Sequence, residues 1–188
     1  MAFRGLYTRI LDHLHSYLWH AFHSPASSFI KSMHYGILRD RTVIRMHDDL
    51  RKALVNIAES VGHVKPYMHL IGMDLIEAQF LESLSTLLFD RLILQNFFRP
   101  ESIPQLREDL QTIKWTFAKL MPAQPVTRAL ERSEEAATLL GMGEVEYEHL
   151  QNSLRMEDLD EAANVMGALH INRLSLGDCE RILSLLRF

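Results

Sequence analysis

At 188 residues the chain is long enough for one domain with a real core and short for two. Its 47% hydrophobic and 23% charged residues, with only 8 Gly and 6 Pro, give a globular composition rather than a disordered one. A formal net charge of -4 provides no basic footprint for a phosphate backbone, so no nucleic-acid partner is expected. The single cysteine, Cys179, excludes an intramolecular disulfide framework and fits a reducing compartment. Asp74, Glu77 and Glu82 interrupt the longest apolar run, so no transmembrane span is expected.

The opening segment, 2–22, places Phe3, Leu6, Ile10, Leu14, Leu18 and Phe22 at helical spacing and is expected to end before Ser24-Pro25. Arg4 and Arg9 precede its first acid, Asp12, a pattern that an amphipathic targeting or membrane-surface helix shares with an ordinary packing helix. A shorter helix should follow, with Phe29, Ile30, Met33 and Ile37 inward and Gly36 weakening it. The next, over 43–60, carries Val43, Met46, Leu50, Leu54 and Ile57, with Arg45–Asp49 and Asp48–Lys52 as charge pairs one turn apart, and Gly62 is its expected stop.

The segment 66–96 is the greasiest. Met73, Ile76, Phe80, Leu84, Leu87, Leu88 and Leu92 mark one stripe, and Leu70, Leu75, Leu81, Phe89 and Ile93 add apolar side chains elsewhere. A helix apolar on most of its circumference must be surrounded. As one rod with a bend at Gly72 it would span roughly 46 Å. The run FFRPES at 97–102 should break it, after which Ser102 and Gln105 have capping-box spacing and Pro104 suits a first helical turn. The following helix shows a narrow seam of Ile103, Leu106, Leu110, Ile113, Phe117 and Leu120, which predicts a surface position against one neighbour.

Met121-Pro122-Ala123-Gln124-Pro125 is the next expected break, followed by helices over 126–140, ending at Gly141, and over 144–154. The acidic stretch Glu157, Asp158, Asp160 and Glu161 is expected to be a solvated loop. The last helix should start at Ser175, with Asp178 as its capping partner and Leu176, Cys179, Ile182, Leu183 and Leu186 inward. No period-two alternation of the kind a strand requires is evident. The expectation is an all-α protein, an elongated stacked helical bundle of about seven or eight helices, forming one domain over 1–188 with sub-bundles at 1–62 and 63–188.

Chemistry is less conspicuous. Ten histidines invite a metal reading, but His13 and His15 would point about 200° apart on a helix, leaving only His20 and His23 to share an ion. Glu146 and His149 have the spacing used in carboxylate-bridged di-iron bundles, yet no second such pair accompanies them. No glycine-rich phosphate loop, paired-cysteine motif or nucleophile elbow is present, and Cys179 falls on an apolar helix face. No catalytic residue, metal site or cofactor is expected, and the chain is read as a non-enzyme. Phe97, Phe98 and Trp115 are read as core residues, with an interface anchor as the rival role.

Asn96-Phe97-Phe98 at the break, then Gln105-Leu106 and Asp109, resemble the C-terminal region of the Rad-fifty-interactor and Tip-twenty family of vesicle tethers. Glu135-Ala136 before Leu139-Leu140, and the ending that contains Asp178, are similar to later motifs of that family. The likeness runs from about Leu84 to the C-terminus. The family's usual glycine and alanine after the break are replaced here by Glu101-Ser102-Ile103-Pro104, and its long N-terminal part has no counterpart, so the resemblance is that of a divergent short member or of a C-terminal fragment of a longer subunit. The resemblance implies a stacked helical rod in a multisubunit tether, cytoplasmic and peripheral on the endoplasmic reticulum membrane. Its partners would be other tethering-complex subunits and the SNAREs of that membrane, in Golgi-to-endoplasmic-reticulum retrograde transport. The alternative class is a helical small-ligand binder or enzyme, which would need an enclosed polar pocket near His20, His23 and Glu146.

Overall fold

The structure, a computed structural model, describes residues 2–31, 35, 46–68, 73–156 and 158–186. Among them are eight α-helices: α1 (Ala2–Lys31), α2 (Asp48–Met68), α3 (Met73–Thr86), α4 (Ile103–Leu120), α5 (Ala123–Leu140), α6 (Glu144–Arg155), α7 (Leu159–Ala168) and α8 (Leu176–Leu183). A π-helical segment, Leu87–Ile93, continues α3, and a 3₁₀ turn, Pro100–Ser102, leads into α4. The fold is an all-α bundle. One isolated backbone bridge, Phe98 to Leu186, is the nearest approach to sheet among the described residues. No helix of the described residues is long and apolar enough to cross a membrane.

α1 does not stop at Ser24-Pro25 but runs through Pro25 to Lys31. A proline inside a helix costs roughly 3 kcal/mol, because it has no N–H for the carbonyl four residues back and its ring crowds that carbonyl. Phe22, Ala26, Phe29 and Ile30 lie buried on either side of it. Each large side chain among them contributes about 1.5–3 kcal/mol on burial, so packing outweighs the local penalty. The separate short helix expected next therefore merges with α1 as far as Lys31. Met33, Gly36, Ile37, Val43 and Arg45 lie outside the described residues.

α2 starts at Asp48, where Asp48 and Asp49 suit the positive end of the helix dipole, and it continues past Gly62 and Pro66 to Met68. Lys52 pairs with Asp49 at 3.4 Å, three residues away rather than four. The expected rod over 66–96 is described in two parts. Its first residues belong to α2, Leu70 and Gly72 fall outside the described residues, and the continuous part is α3 with the π segment. Ile76, Phe80, Leu81, Leu84, Leu87, Leu88, Phe89, Leu92 and Ile93 are buried there, as an apolar circumference demands, while Leu75 is exposed.

α4 is more central than its narrow seam suggests. Phe117 meets Phe22 of α1 and Phe80 of α3, each at 5.4 Å between ring centroids. The helix also packs on α2 and α5. Trp115, on the outer side, is 61% exposed with the Lys119 ammonium 3.1 Å above its ring, which corrects its reading as a core residue. Phe98 is fully buried and Phe97 partly exposed.

α5 forms the second hub, against α3, the π segment, α4 and α8. Its first turn takes in Pro125, which tolerates that position because an N–H there has no helical partner. The acidic stretch is exposed at Asp158 and Asp160, as expected, but from Leu159 onward it is helix and not loop. The Asp158 carboxylate accepts the Glu161 N–H and starts α7, a helix with no counterpart among the expected elements. α8 carries the expected reciprocal cap, with Ser175 N–H donating to Asp178 and Asp178 N–H donating to Ser175 Oγ, each at 3.1 Å.

Candidate functional site

The residues singled out around the break converge on one buried node. Asn96, 3% exposed, donates through Nδ2 to the carbonyls of Leu92 at 2.9 Å, Arg91 at 3.3 Å and Ile30 at 3.4 Å. The first two are orphan acceptors at the end of the π segment, and the third belongs to the last turn of α1. One amide therefore stops one helix and clasps another. Asparagine suits the task because its NH₂ offers two donors on a short stem.

Nearly two turns into α4, Asp109 is 1% exposed. Its Oδ1 accepts from Gln105 Nε2 at 2.9 Å and its Oδ2 accepts from the Tyr35 hydroxyl at 2.7 Å. Tyr35 in turn stacks on Phe98 at 5.4 Å and meets Phe29 edge-on at 5.9 Å. Burial pushes the Asp109 carboxyl up to about 6, with the donors Tyr35 and Gln105 opposing the shift and Glu108 adding to it. Burial, and then the charge of Asp109, raises the Tyr35 phenol well above its ordinary value, so the hydroxyl stays a donor. Phe98 closes the node with its backbone N–H on Leu185 O at 3.0 Å, tying the break to the end of α8.

Of the quoted residues, Asn96, Phe98, Gln105 and Asp109 thus belong to this node, and Leu106 is buried beside it in the α4 seam. Phe97 points outward. Ser102 does not pair with Gln105 as a capping box. Its Oγ donates to Arg99 O at 2.7 Å and accepts from Arg99 N–H at 3.3 Å, closing the 3₁₀ turn instead and leaving Gln105 for Asp109.

Glu135 and Asp178 form a second polar cluster on α5 and α8. The Glu135 carboxylate accepts backbone N–H groups of Asn172, Arg173 and Leu174 at 2.9, 2.8 and 3.1 Å, gripping the turn after the positive-φ residue His170. Ala136, on the next position, is fully buried. Burial alone would raise the Asp178 carboxyl, but hydrogen bonds from Ser175 and the charge of Arg132, 3.3 Å away, hold it below the usual range. The Arg132 guanidinium lies 3.8 Å over the Phe89 ring of the π segment, so the two clusters are mechanically joined. Arg132 was invisible as a partner in the sequence because Asp178 lies 46 residues away.

The residues proposed for chemistry do not assemble. His149 pairs with Glu161 at 2.9 Å rather than with Glu146. His20 is exposed, and His23 stacks on Trp19 at 5.3 Å along an open cleft of about 410 Å³ that Glu82, Ser83, Thr86 and Arg91 also line. Glu146 does not line that cleft. A second pocket, of about 300 Å³, lies between Pro100, Leu140, Met142, Tyr147 and Leu186. Among the described residues no three or more His, Cys, Asp or Glu gather as metal ligands. Burial raises the Cys179 thiol to about 12, with the charges of Asp178 and Glu135 adding to the shift, which makes it a poor nucleophile.

Comparison with known protein families, curated proteins and solved structures finds no match to this chain.

Proposed function

We propose that this protein is a helical strut of a vesicle-tethering complex, similar to the C-terminal region of the Rad-fifty-interactor and Tip-twenty family. It acts at the cytoplasmic face of the endoplasmic reticulum in retrograde transport from the Golgi, and it works by binding rather than by bond chemistry. The observation that carries the reading is the convergence of Asn96, Phe98, Gln105 and Asp109 on one node. The motif on which the resemblance rests is then a device that fixes the direction of α4 relative to α1 and α3, as a strut requires. Trp115, 61% exposed, supplies the kind of rigid aromatic that anchors partner contacts.

The second reading is a small-ligand binder, for which the open cleft beside Trp19 and His23 is the available site, with Arg91 as the charged contact. Affinity capture with the full chain from solubilised endoplasmic reticulum membranes, read by mass spectrometry, separates the two. The tethering reading expects recovery of the resident SNAREs and of other tether subunits, reduced by Trp115→Ala and unaffected by Arg91→Ala. Recovery of neither class, or loss of capture on Arg91→Ala alone, would overturn it.

A further inference from the structure

The cleft of about 410 Å³ beside Trp19 and His23 has two unlike walls. The α1 wall is an aromatic stack. The Trp19 indole lies nearly parallel to the His15 ring at 6.5 Å and at 28° to the His23 ring at 5.3 Å, while Phe80 meets it edge-on at 5.6 Å. Held from three sides, the half-buried indole is a flat platform whose orientation is fixed before any ligand arrives. The facing wall owes its composition to the π segment. Ser83 and Leu87 are one α-helical step of four residues apart, which overshoots a full turn by about 40°. From Leu87 to Arg91 the turns are wider, so the same step falls short of a full turn and offsets the overshoot. Arg91 is thereby returned to the line of Ser83 and Leu87 and lines the cleft with them, whereas a continuous α-helix would set it about 80° aside. Segments of this kind recur at functional sites.

Besides the His23 ring, the titratable lining among the described residues is the Glu82 carboxylate and the Arg91 guanidinium, one of each sign. Neither side chain makes an ion pair or hydrogen bond among the described residues. An occupant must therefore answer both charges. The two residues stand nine positions apart, roughly 13 Å along the helix, so it must answer them at two ends. A free amino acid carries its ammonium and carboxylate on one carbon and reaches only one of them. An extended tripeptide spans up to about 10 Å, and a charge-assisted hydrogen bond of about 2.8 Å at each end covers the interval. We propose that the cleft binds a free peptide of two or three residues lying along α3. Its carboxylate meets Arg91, its ammonium meets Glu82, and an apolar side chain rests on Trp19 and His23, with the Ser83 and Thr86 hydroxyls facing its backbone. The inference rests on the second reading above, for which it names the ligand. The tethering reading is independent of it, because Asn96, Phe98, Gln105 and Asp109 line no part of the cleft.

Titration of the full chain with the tripeptide alanyl-phenylalanyl-alanine tests it, by calorimetry and by the fluorescence of a Trp115→Phe protein in which Trp19 is the sole indole. The expected result is saturable binding with a change in Trp19 emission, weakened about tenfold by N-acetylation of the peptide and about tenfold by C-amidation. Glu82→Gln should equalise the free and acetylated peptides, and Arg91→Gln the free and amidated ones. Both variants should keep the parental thermal melt, because the changed side chains are exposed. A doubly blocked peptide that binds as tightly as the free one would overturn the proposal and leave the cleft as a site for uncharged ligands. A preference for free ends that survives both Glu82→Gln and Arg91→Gln would also overturn it. So would absence of binding by every form of the peptide, in which case the capture result with Arg91→Ala decides the second reading by itself.

Discussion

Asp109 is buried against two neutral donors, with Glu108 as the nearest charge influencing it, and the outcome is a carboxyl raised to about 6. The folded state then holds its proton more tightly than the unfolded chain. Its contribution to stability is fully present below the unfolded value near 3.8 and is lost as pH rises through about 6. Asp109→Asn keeps the shape and cannot ionise. The stability difference between parent and variant, from urea unfolding across this range, should therefore move in the variant's favour as pH rises from about 4 to about 7. A constant difference would contradict the burial argument. Ser133 makes the opposite case. Its hydroxyl is buried and finds no hydrogen-bond partner among the described residues, so Ser133→Ala should be neutral or stabilising by about 1 kcal/mol, read from the same unfolding curves. Asp109 was visible as a motif residue, but its bond to Tyr35 joins residues 74 positions apart, and no local pattern announces that.

Element by element, the legible features were those with a local cause. The cap at Ser175 and Asp178, the stop at Gly141 and the apolar circumference around Leu84 all follow from neighbours a turn away. The missed features had distant causes. Pro25 and Gly62 carry strong local stop signals that packing overrode, and α7 hides its short apolar face, Ala162 and Met166, in a polar stretch. The narrow seam of α4 understates its role for the same reason, since Phe117 meets rings from helices that precede it by many residues. That role predicts severity. Leu106→Asp together with Leu110→Asp puts two charges into positions exposed by 0% and 1%, and should abolish the cooperative thermal transition with loss of helical circular dichroism. A retained transition would show that α4 packs elsewhere.

At the scale of the molecule, the buried apolar side chains of the described residues form one cluster from Leu11 to Leu186. The bond from Phe98 N–H to Leu185 O joins the middle of the chain to the end of its described part, and Arg132 joins the π segment to α8. A body linked in this way should open as one unit. Cys179 reports on that opening, because it is fully buried, 3.7 Å from the Met166 sulfur, with its thiol raised to about 12. Labelling by a thiol reagent should be slower than in urea by roughly a thousandfold or more, and its urea dependence should follow global unfolding. A fast, urea-independent rate would mean that α7 and α8 detach by themselves.

The π segment carries one further implication. Where bonds run from residue i+5 back to residue i, as Leu94 N–H does to Phe89 O at 3.0 Å, the helix houses one residue more than an α-helical path between the same ends requires. That surplus widens the strip turned inward, so that Leu87, Leu88, Phe89, Leu92 and Ile93 are all sheltered while Asp90 and Arg91 remain in water. The protein thus has a place where its thread can be shortened. Excising Asp90 would let this stretch tighten into ordinary α-helix with Asn96 still in reach of its carbonyls, whereas the same excision in the middle of α4 would rotate every later side chain of that helix off its seat.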